Sequence, residues 1–120
     1  MGLGKICFLE NDTAINQDLR GVVPVDPGKL SVYFLFWWFK SISQRIIDNG
    51  SGATVHGVKL PFIKSLEIPL LSLSEQKSIV KKLDALSVET KKLEENYRQK
   101  LADLEELKKS VLKKAFSGEL

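Results

Sequence analysis

The chain has 120 residues, 43% of them hydrophobic and 28% charged, which suits one ordinary soluble domain or a small domain with an appendage. Its longest apolar run, Val32 to Phe39 (VYFLFWWF), has eight residues, far short of the roughly 20 that cross a bilayer. The start MGLGKICFLEND lacks the basic and apolar regions of a secretory signal, and the single cysteine, Cys7, excludes an internal disulfide, so a cytoplasmic protein outside the membrane is expected.

The formal charge of +3 is concentrated toward the C-terminal half. Eleven Lys or Arg and eight Asp or Glu lie between Glu75 and Ala115, whereas the first 74 residues carry seven basic against six acidic groups. A charged helix more often marks a solvated face than a nucleic-acid site, so basicity alone does not identify a DNA-binding protein.

In chain order, Leu3 to Leu9 (LGKICFL) is short and apolar enough for a strand, closed by the turn-forming Glu10-Asn11-Asp12-Thr13. Ala14 to Val25 (AINQDLRGVVPV) has room for one or two more strands, interrupted at Gly21 and Pro24. Asp26-Pro27 reads as a helix start, with Asp as the cap and Pro in the first turn, and Asn49-Gly50 as the matching stop. The spacing therefore predicts a helix over Gly28 to Asp48, although VYFLFWWF alone would equally suit a buried strand. Six of the ten aromatic residues lie between Tyr33 and Phe39. Such a cluster can stack on bases, but a run that is apolar around its whole circumference fits a core helix better.

Gly50 to Leu71 (GSGATVHGVKLPFIKSLEIPLL) opens as a loop, passes through an expected helical turn at Leu60 to Ser65 and ends in an expected strand at Leu66 to Leu71. Ser51, Thr54 and Lys59 offer donors of little bulk to a phosphate backbone; a plain connector accounts for the same composition equally well. His56 has no His, Cys or carboxylate at ligand spacing, so no metal or other cofactor is expected.

A run of more than forty residues without Pro or Gly then begins near Leu71. Ser72 followed by Glu75 fits a capping box, with Ser74 as the competing cap. Beyond it the apolar positions are Ile79, Leu83, Leu86, Leu93, Tyr97, Leu101, Leu104, Leu107, Val111 and Ala115, with Thr90 filling one gap. The steps average about 3.6 residues, the period of a straight helix rather than of a strict heptad. Pairs such as Glu94 with Arg98 and Glu105 with Lys109 are worth only a few tenths of a kcal/mol each. Burial of the stripe, at about 25 cal/mol per Å² of apolar area, is the larger force, and the preceding residues are too few to cover about 60 Å of helix. A partner helix is expected.

INQDLRGVV at 15 to 23, the segment from Gly50 to Leu71, the helix start SEQKSIVKKLD and the ending LKKSVLKKAFSGEL at 107 to 120 together resemble the DNA-specificity (S) subunit of type I restriction-modification systems. The resemblance implies an α+β fold, with 1–71 as the C-terminal portion of a target recognition domain, 72–116 as a spacer and dimerisation helix pairing in an antiparallel coiled coil, and 117–120 as a tail. A complete member has two recognition domains and two such helices; this chain has one helix and part of one domain. The implied partners are double-stranded DNA, methyltransferase (modification) subunits and, indirectly, the restriction subunit, together with a second copy or another specificity fragment. A helix of about 60 Å corresponds to roughly 18 base pairs, so it would set two DNA readers between one and two turns apart.

For DNA contact the expected residues are Ser51, Thr54 and Lys59, with Asn16 and Gln17 added because Asn and Gln can pair bidentately with adenine. No catalytic constellation is present: there is no GxGxxG, no phosphate-binding GxxxxGK, no NPPY-like signature and no companion for His56, so the chain is expected to be non-catalytic. The competing expectation is a coiled-coil dimerisation or assembly fragment that does not read DNA.

Overall fold

The computed structural model describes residues 2–50 and 58–120, and the chain forms two compact units, Met1–Lys82 and Leu83–Leu120. The described residues hold four helices, α1 (Val32–Ser41), α2 (Ser43–Asp48), α3 (Leu60–Lys64) and α4 (Leu73–Ser117). No strand occurs among them. The segments 3–9, 14–25 and 66–71, expected to hold strands, lack a hydrogen-bonded ladder. Two of them nonetheless keep the alternation of an extended chain: Ile6 and Phe8 are half-buried between exposed Lys5, Cys7 and Leu9, and Leu66 and Ile68 alternate with exposed Glu67 and Pro69. Period-2 burial needs only an extended backbone, whereas a sheet also needs a neighbour whose N–H and C=O groups pair with it. The helical part of the α+β expectation is present, and among the described residues the expected strands are extended segments without a ladder.

The helix expected over 28–48 starts later and is broken. Asp26 closes a turn instead of capping a helix: its carbonyl accepts from the N–H groups of Lys29 and Leu30, both at 3.0 Å, and its carboxylate accepts from Gly28 N–H at 2.9 Å. Ser31 is extended, with φ −73° and ψ 134°, so α1 begins only at Val32. Ile42 then leaves helical geometry, with φ −104° and ψ 11°, and divides α1 from α2. The end falls where expected, with the Asn49 side-chain amide donating to the carbonyl of Arg45 at 2.8 Å. Burial in this unit is thin: among the described residues Phe34 and Leu35 from α1 and Ile46 from α2 are the buried apolar ones. Phe36, Trp37, Trp38 and Phe39 are half-buried and Tyr33 is exposed, so the aromatic run serves as core on one side only.

The late start of α1 has its cause in α4. Gln76, in the first turn of α4, has 0% of its surface exposed, the lowest value among the described residues. Its side-chain oxygen accepts from Ser31 N–H at 2.8 Å, and its Nε2 donates to the carbonyls of Lys29 at 2.7 Å and Leu71 at 2.8 Å. One amide thereby satisfies one donor and two acceptors of the main chain, and those partners fix which end is oxygen and which is nitrogen. A helix starting at Gly28 would need the Ser31 N–H to donate to the Pro27 carbonyl. That single proton is given to Gln76 instead.

The N-terminal segment is fitted to the far end of α2. Gly4 has φ +77°, and a Cβ there would lie 2.5 Å from Cγ1 of Ile47, while a Cβ on Gly50 would collide with the Leu3 side chain. Both glycines are needed for this close approach.

Replacing Gln76 with Ala leaves three main-chain groups without their partner and is expected to destabilise the Met1–Lys82 unit by roughly 2–4 kcal/mol. Gln76→Glu is not expected to rescue it, because a carboxylate cannot donate to the two carbonyls. Urea unfolding followed through Trp37 and Trp38 fluorescence measures the loss; a change below about 0.5 kcal/mol would show that water replaces the amide without cost.

Candidate DNA and partner-helix surfaces

The turn formed by Ile15 to Arg20 is built by its own polar groups. Asn16 Oδ1 accepts from Asp18 N–H at 3.2 Å, and the Asn16 carbonyl accepts from Leu19 N–H at 3.2 Å. Arg20 Nη1 donates to the carbonyl of Gln17 at 2.8 Å and that of Leu19 at 3.2 Å. Asn16 and Gln17, expected from sequence as base readers, thus sit side by side on one exposed turn. The Asn16 oxygen accepts one bond in holding that turn, which fixes the orientation of its amide and leaves a second lone pair and the NH2 group for other partners.

Lys59 occupies a different segment, in the capping position of α3, with extended φ −72° and ψ 135°. Its carbonyl accepts from the N–H groups of Phe62 and Ile63, and its exposed side chain makes no ion pair among the described residues. No hydrogen bond or ion pair joins it to the Asn16–Gln17 turn among the described residues. Ser51, Thr54 and His56 lie outside the described residues.

The start of α4 follows its sequence signature closely. Glu75 N–H donates to Ser72 Oγ at 3.3 Å, while the Glu75 carboxylate accepts from Ser72 N–H at 3.0 Å and from the Ser72 hydroxyl at 2.8 Å. The reciprocal box holds, with Ser72 rather than Ser74 as the cap. The hydroxyl bond, reinforced by the backbone bond, keeps the Glu75 carboxyl below its ordinary range. The other end closes on Gly118 at φ +77°, with Gly118 N–H donating to Ala115 and Glu119 N–H to Lys114 at 2.9 Å, the paired bonds of a Schellman stop.

Between these ends, Ile79 and Leu83 are half-buried. From Leu86 through Leu93, Tyr97, Leu101, Leu104 and Leu107 to Val111 the stripe is exposed, each residue keeping between 44% and 66% of its surface. Arg98 bonds both Glu94 at 3.3 Å and Glu95 at 3.4 Å, Lys92 pairs with Glu89, and Glu105 and Lys109 make no ion pair among the described residues. Lys100 Nζ lies 5.7 Å from the centre of the Tyr97 ring, over a shallow depression that Leu93, Asn96 and Gln99 also line.

The residue that sequence reading passes over is Gln76. It lies within the SEQK start, but its interest comes from position: it shares the inward side of the first turns with Leu73, Ile79 and Val80, all half-buried. A lone amide on an otherwise apolar face is the available signal. Among the described residues no group of His, Cys, Asp or Glu is arranged to hold a metal ion, and no helix is long and apolar enough to cross a membrane.

A small helical unit that opens into a long, capped helix with an uncovered apolar stripe is the architecture in hand, and the sequence comparisons give it a family. Residues 2–103 match the type I restriction modification DNA specificity domain. The chain belongs to that family. It is 29% identical over 96 residues to the type I restriction enzyme EcoDI specificity subunit of Escherichia coli, covering 80% of this chain and 22% of that protein. It is likewise 29% identical over 122 residues to the EcoBI specificity subunit of the same organism, covering 98% of this chain and 26% of that protein. The chain therefore spans about a quarter of the length of these curated relatives. No solved structure matches it.

The capping box sets a pH dependence whose sign follows from Glu75. A carboxyl held low in the folded state contributes stability above its unfolded pKa and loses it as pH falls through the folded one. Acidification below about pH 4 is expected to free the Ser72 amide and fray the first turn of α4, and Glu75→Gln is expected to flatten that response. Amide exchange at Ser72 measures it; protection unchanged down to strongly acid pH would contradict the role given to the carboxylate.

Proposed function

We propose that this chain acts as a partial type I DNA-specificity subunit, with the C-terminal portion of a target recognition domain and its long helix. Residues 1–71 form the end of a target recognition domain that positions the assembly on double-stranded DNA. The α4 helix acts as spacer, pairs antiparallel with the helix of a second specificity segment or a second copy, and docks methyltransferase subunits that the restriction subunit joins indirectly. The chain itself is non-catalytic and needs no cofactor in this reading, and it works where cytoplasmic DNA is found. The extended segments 3–9 and 66–71 gain ladder partners, and the domain its α+β character, when further recognition-domain residues are present.

The observation that carries this reading is the 45-residue α4, whose apolar stripe its own chain leaves exposed from Leu86 to Val111. At 1.5 Å per residue it measures about 67 Å, the length of roughly 20 base pairs. Such a helix in isolation gains nothing from its stripe. Set between two recognition domains, it fixes their separation.

A second reading keeps the helix and drops the DNA. It is favoured by the weak charge of residues 1–74, seven basic against six acidic groups, because affinity for duplex DNA comes largely from neutralised phosphates. Retardation of duplex DNA that weakens as salt rises supports the specificity role; intact helix pairing with no DNA binding at low salt supports the assembly fragment.

The specificity role predicts weak DNA binding by the isolated chain with a shallow salt slope. Lys59→Ala is expected to weaken binding of the assembled complex by a few-fold and to lower the salt slope by about 1, leaving the preferred sequence unchanged, since a phosphate contact carries no base information. Titrations across a set of duplexes at several salt concentrations check this, and a changed preference would assign Lys59 to base reading.

A further inference from the structure

The charges beside the exposed stripe of α4 are unevenly distributed. Lys108, Lys109, Lys113 and Lys114 crowd its last turns without an ion pair among the described residues, and no acidic residue intervenes between Glu106 and Glu119. Glu89 to Glu106 is the reverse, with six acidic against four basic residues. The first turns are already occupied within the chain, since Gln76 is buried and Ile79, Val80 and Leu83 are half-buried. The free surface thus runs from Leu86 onward, acidic in its first part and basic at its end.

We propose, on the basis of the helix pairing put forward above, that this surface is covered by a second copy of the chain in one defined register: antiparallel, and centred between Leu101 and Ala102. That centre sets Glu89 level with Lys114 of the other copy, Arg98 with Glu105, and Lys100 with Asp103, each flanking the stripe. Twofold symmetry repeats each pair, and no like-charged residues fall level anywhere from Leu86 to Ser117. Leu101 meets its counterpart, Tyr97 falls between Leu104 and Leu107, and Leu93 comes beside Val111.

The alternative that overlaps the two helices end to end is centred on Glu95. It sets Lys82 level with Lys108, like charges that both flank the stripe, brings no opposite charges level, and asks the occupied first turns to pair a second time. Like charges brought level across an interface select against a register more strongly than exposed opposite pairs stabilise one. The basic end of each helix therefore belongs over the acidic middle of the other, and the first turns stay with their own unit.

Single cysteines in a full chain carrying Cys7→Ser, which removes the exposed native thiol, test the register. Under mild oxidation Leu101→Cys is expected to link most of the dimer, whereas Leu93→Cys is not, because its counterpart lies about 25 Å away along the axis at 1.5 Å per residue. Linking at both positions would mean a parallel pair, and linking at Leu93→Cys alone would mean end-to-end overlap; either overturns the register while leaving helix pairing in place. A monomer by sedimentation in the Cys7→Ser chain would overturn the pairing itself. As a second readout that leaves the apolar stripe intact, Glu89→Lys and Lys114→Glu are each expected to weaken dimerisation roughly tenfold at low salt, and the double variant to recover most of the loss. A double variant weaker than either single one would show that these residues do not face each other.

Discussion

A single side-chain amide holds the folded unit together at the point where the long helix leaves it. Gln76 bonds Ser31, Lys29 and Leu71 at once, at 2.7 to 2.8 Å and without exposure to water. Each of those main-chain groups would otherwise be desolvated without a partner, and the cost of an orphaned polar group exceeds the net gain of an ordinary hydrogen bond. The amide therefore acts as a constraint more than as a source of stability. It fixes the approach to α1, the entry into α4 and the delay of α1 to Val32. The capping box beside it, Ser72 with Glu75, fixes where the ladder of α4 begins.

Apolar burial in this unit is slight, with Phe34, Leu35 and Ile46 below the exposed surface and the other large aromatics half-covered. The stripe of α4 faces the opposite condition, an abundance of apolar surface with nothing described upon it. Fully burying one leucine contributes about 1.5–3 kcal/mol, against a few tenths for each surface pair such as Arg98 with Glu94. Pairing of the stripe thus dominates whatever the charges add. The charges decide instead which of the possible pairings is permitted, and this division between affinity and register follows from their positions along one helix.

Much of α4 was legible from the amino-acid order because its determinants are local: the Ser72–Glu75 spacing, the absence of Pro and Gly and the 3.6-residue stripe each act within a turn or two. The end of α2 at Asn49-Gly50 and the helical turn at Leu60 were legible for the same reason. Failures came where distant residues intervened. Asp26-Pro27 resembles a helix start, yet the Ser31 N–H that its ladder would use is bonded to a residue 45 positions away. LGKICFL, short and apolar enough for a strand, keeps half-buried Ile6 and Phe8, but a ladder depends on a partner that no local pattern supplies. Of the expected DNA residues, Asn16 and Gln17 do share a turn, a grouping that adjacency made plain, whereas the bond between Asn16 and Asp18 that engages its amide was not visible in residue types.

The central claim is that the first turns of α4 are held by their own unit while the remainder waits for a second helix. Amide hydrogen exchange of the whole chain, followed from low to high protein concentration, tests it directly. The account predicts strong protection at Ser31 and in the turns around Gln76 at every concentration, and protection from Leu86 to Val111 that is weak when dilute and rises as the chain associates. Uniform, concentration-independent protection along α4, or loss of the Ser31 protection while the rest of the helix remains protected, would contradict it.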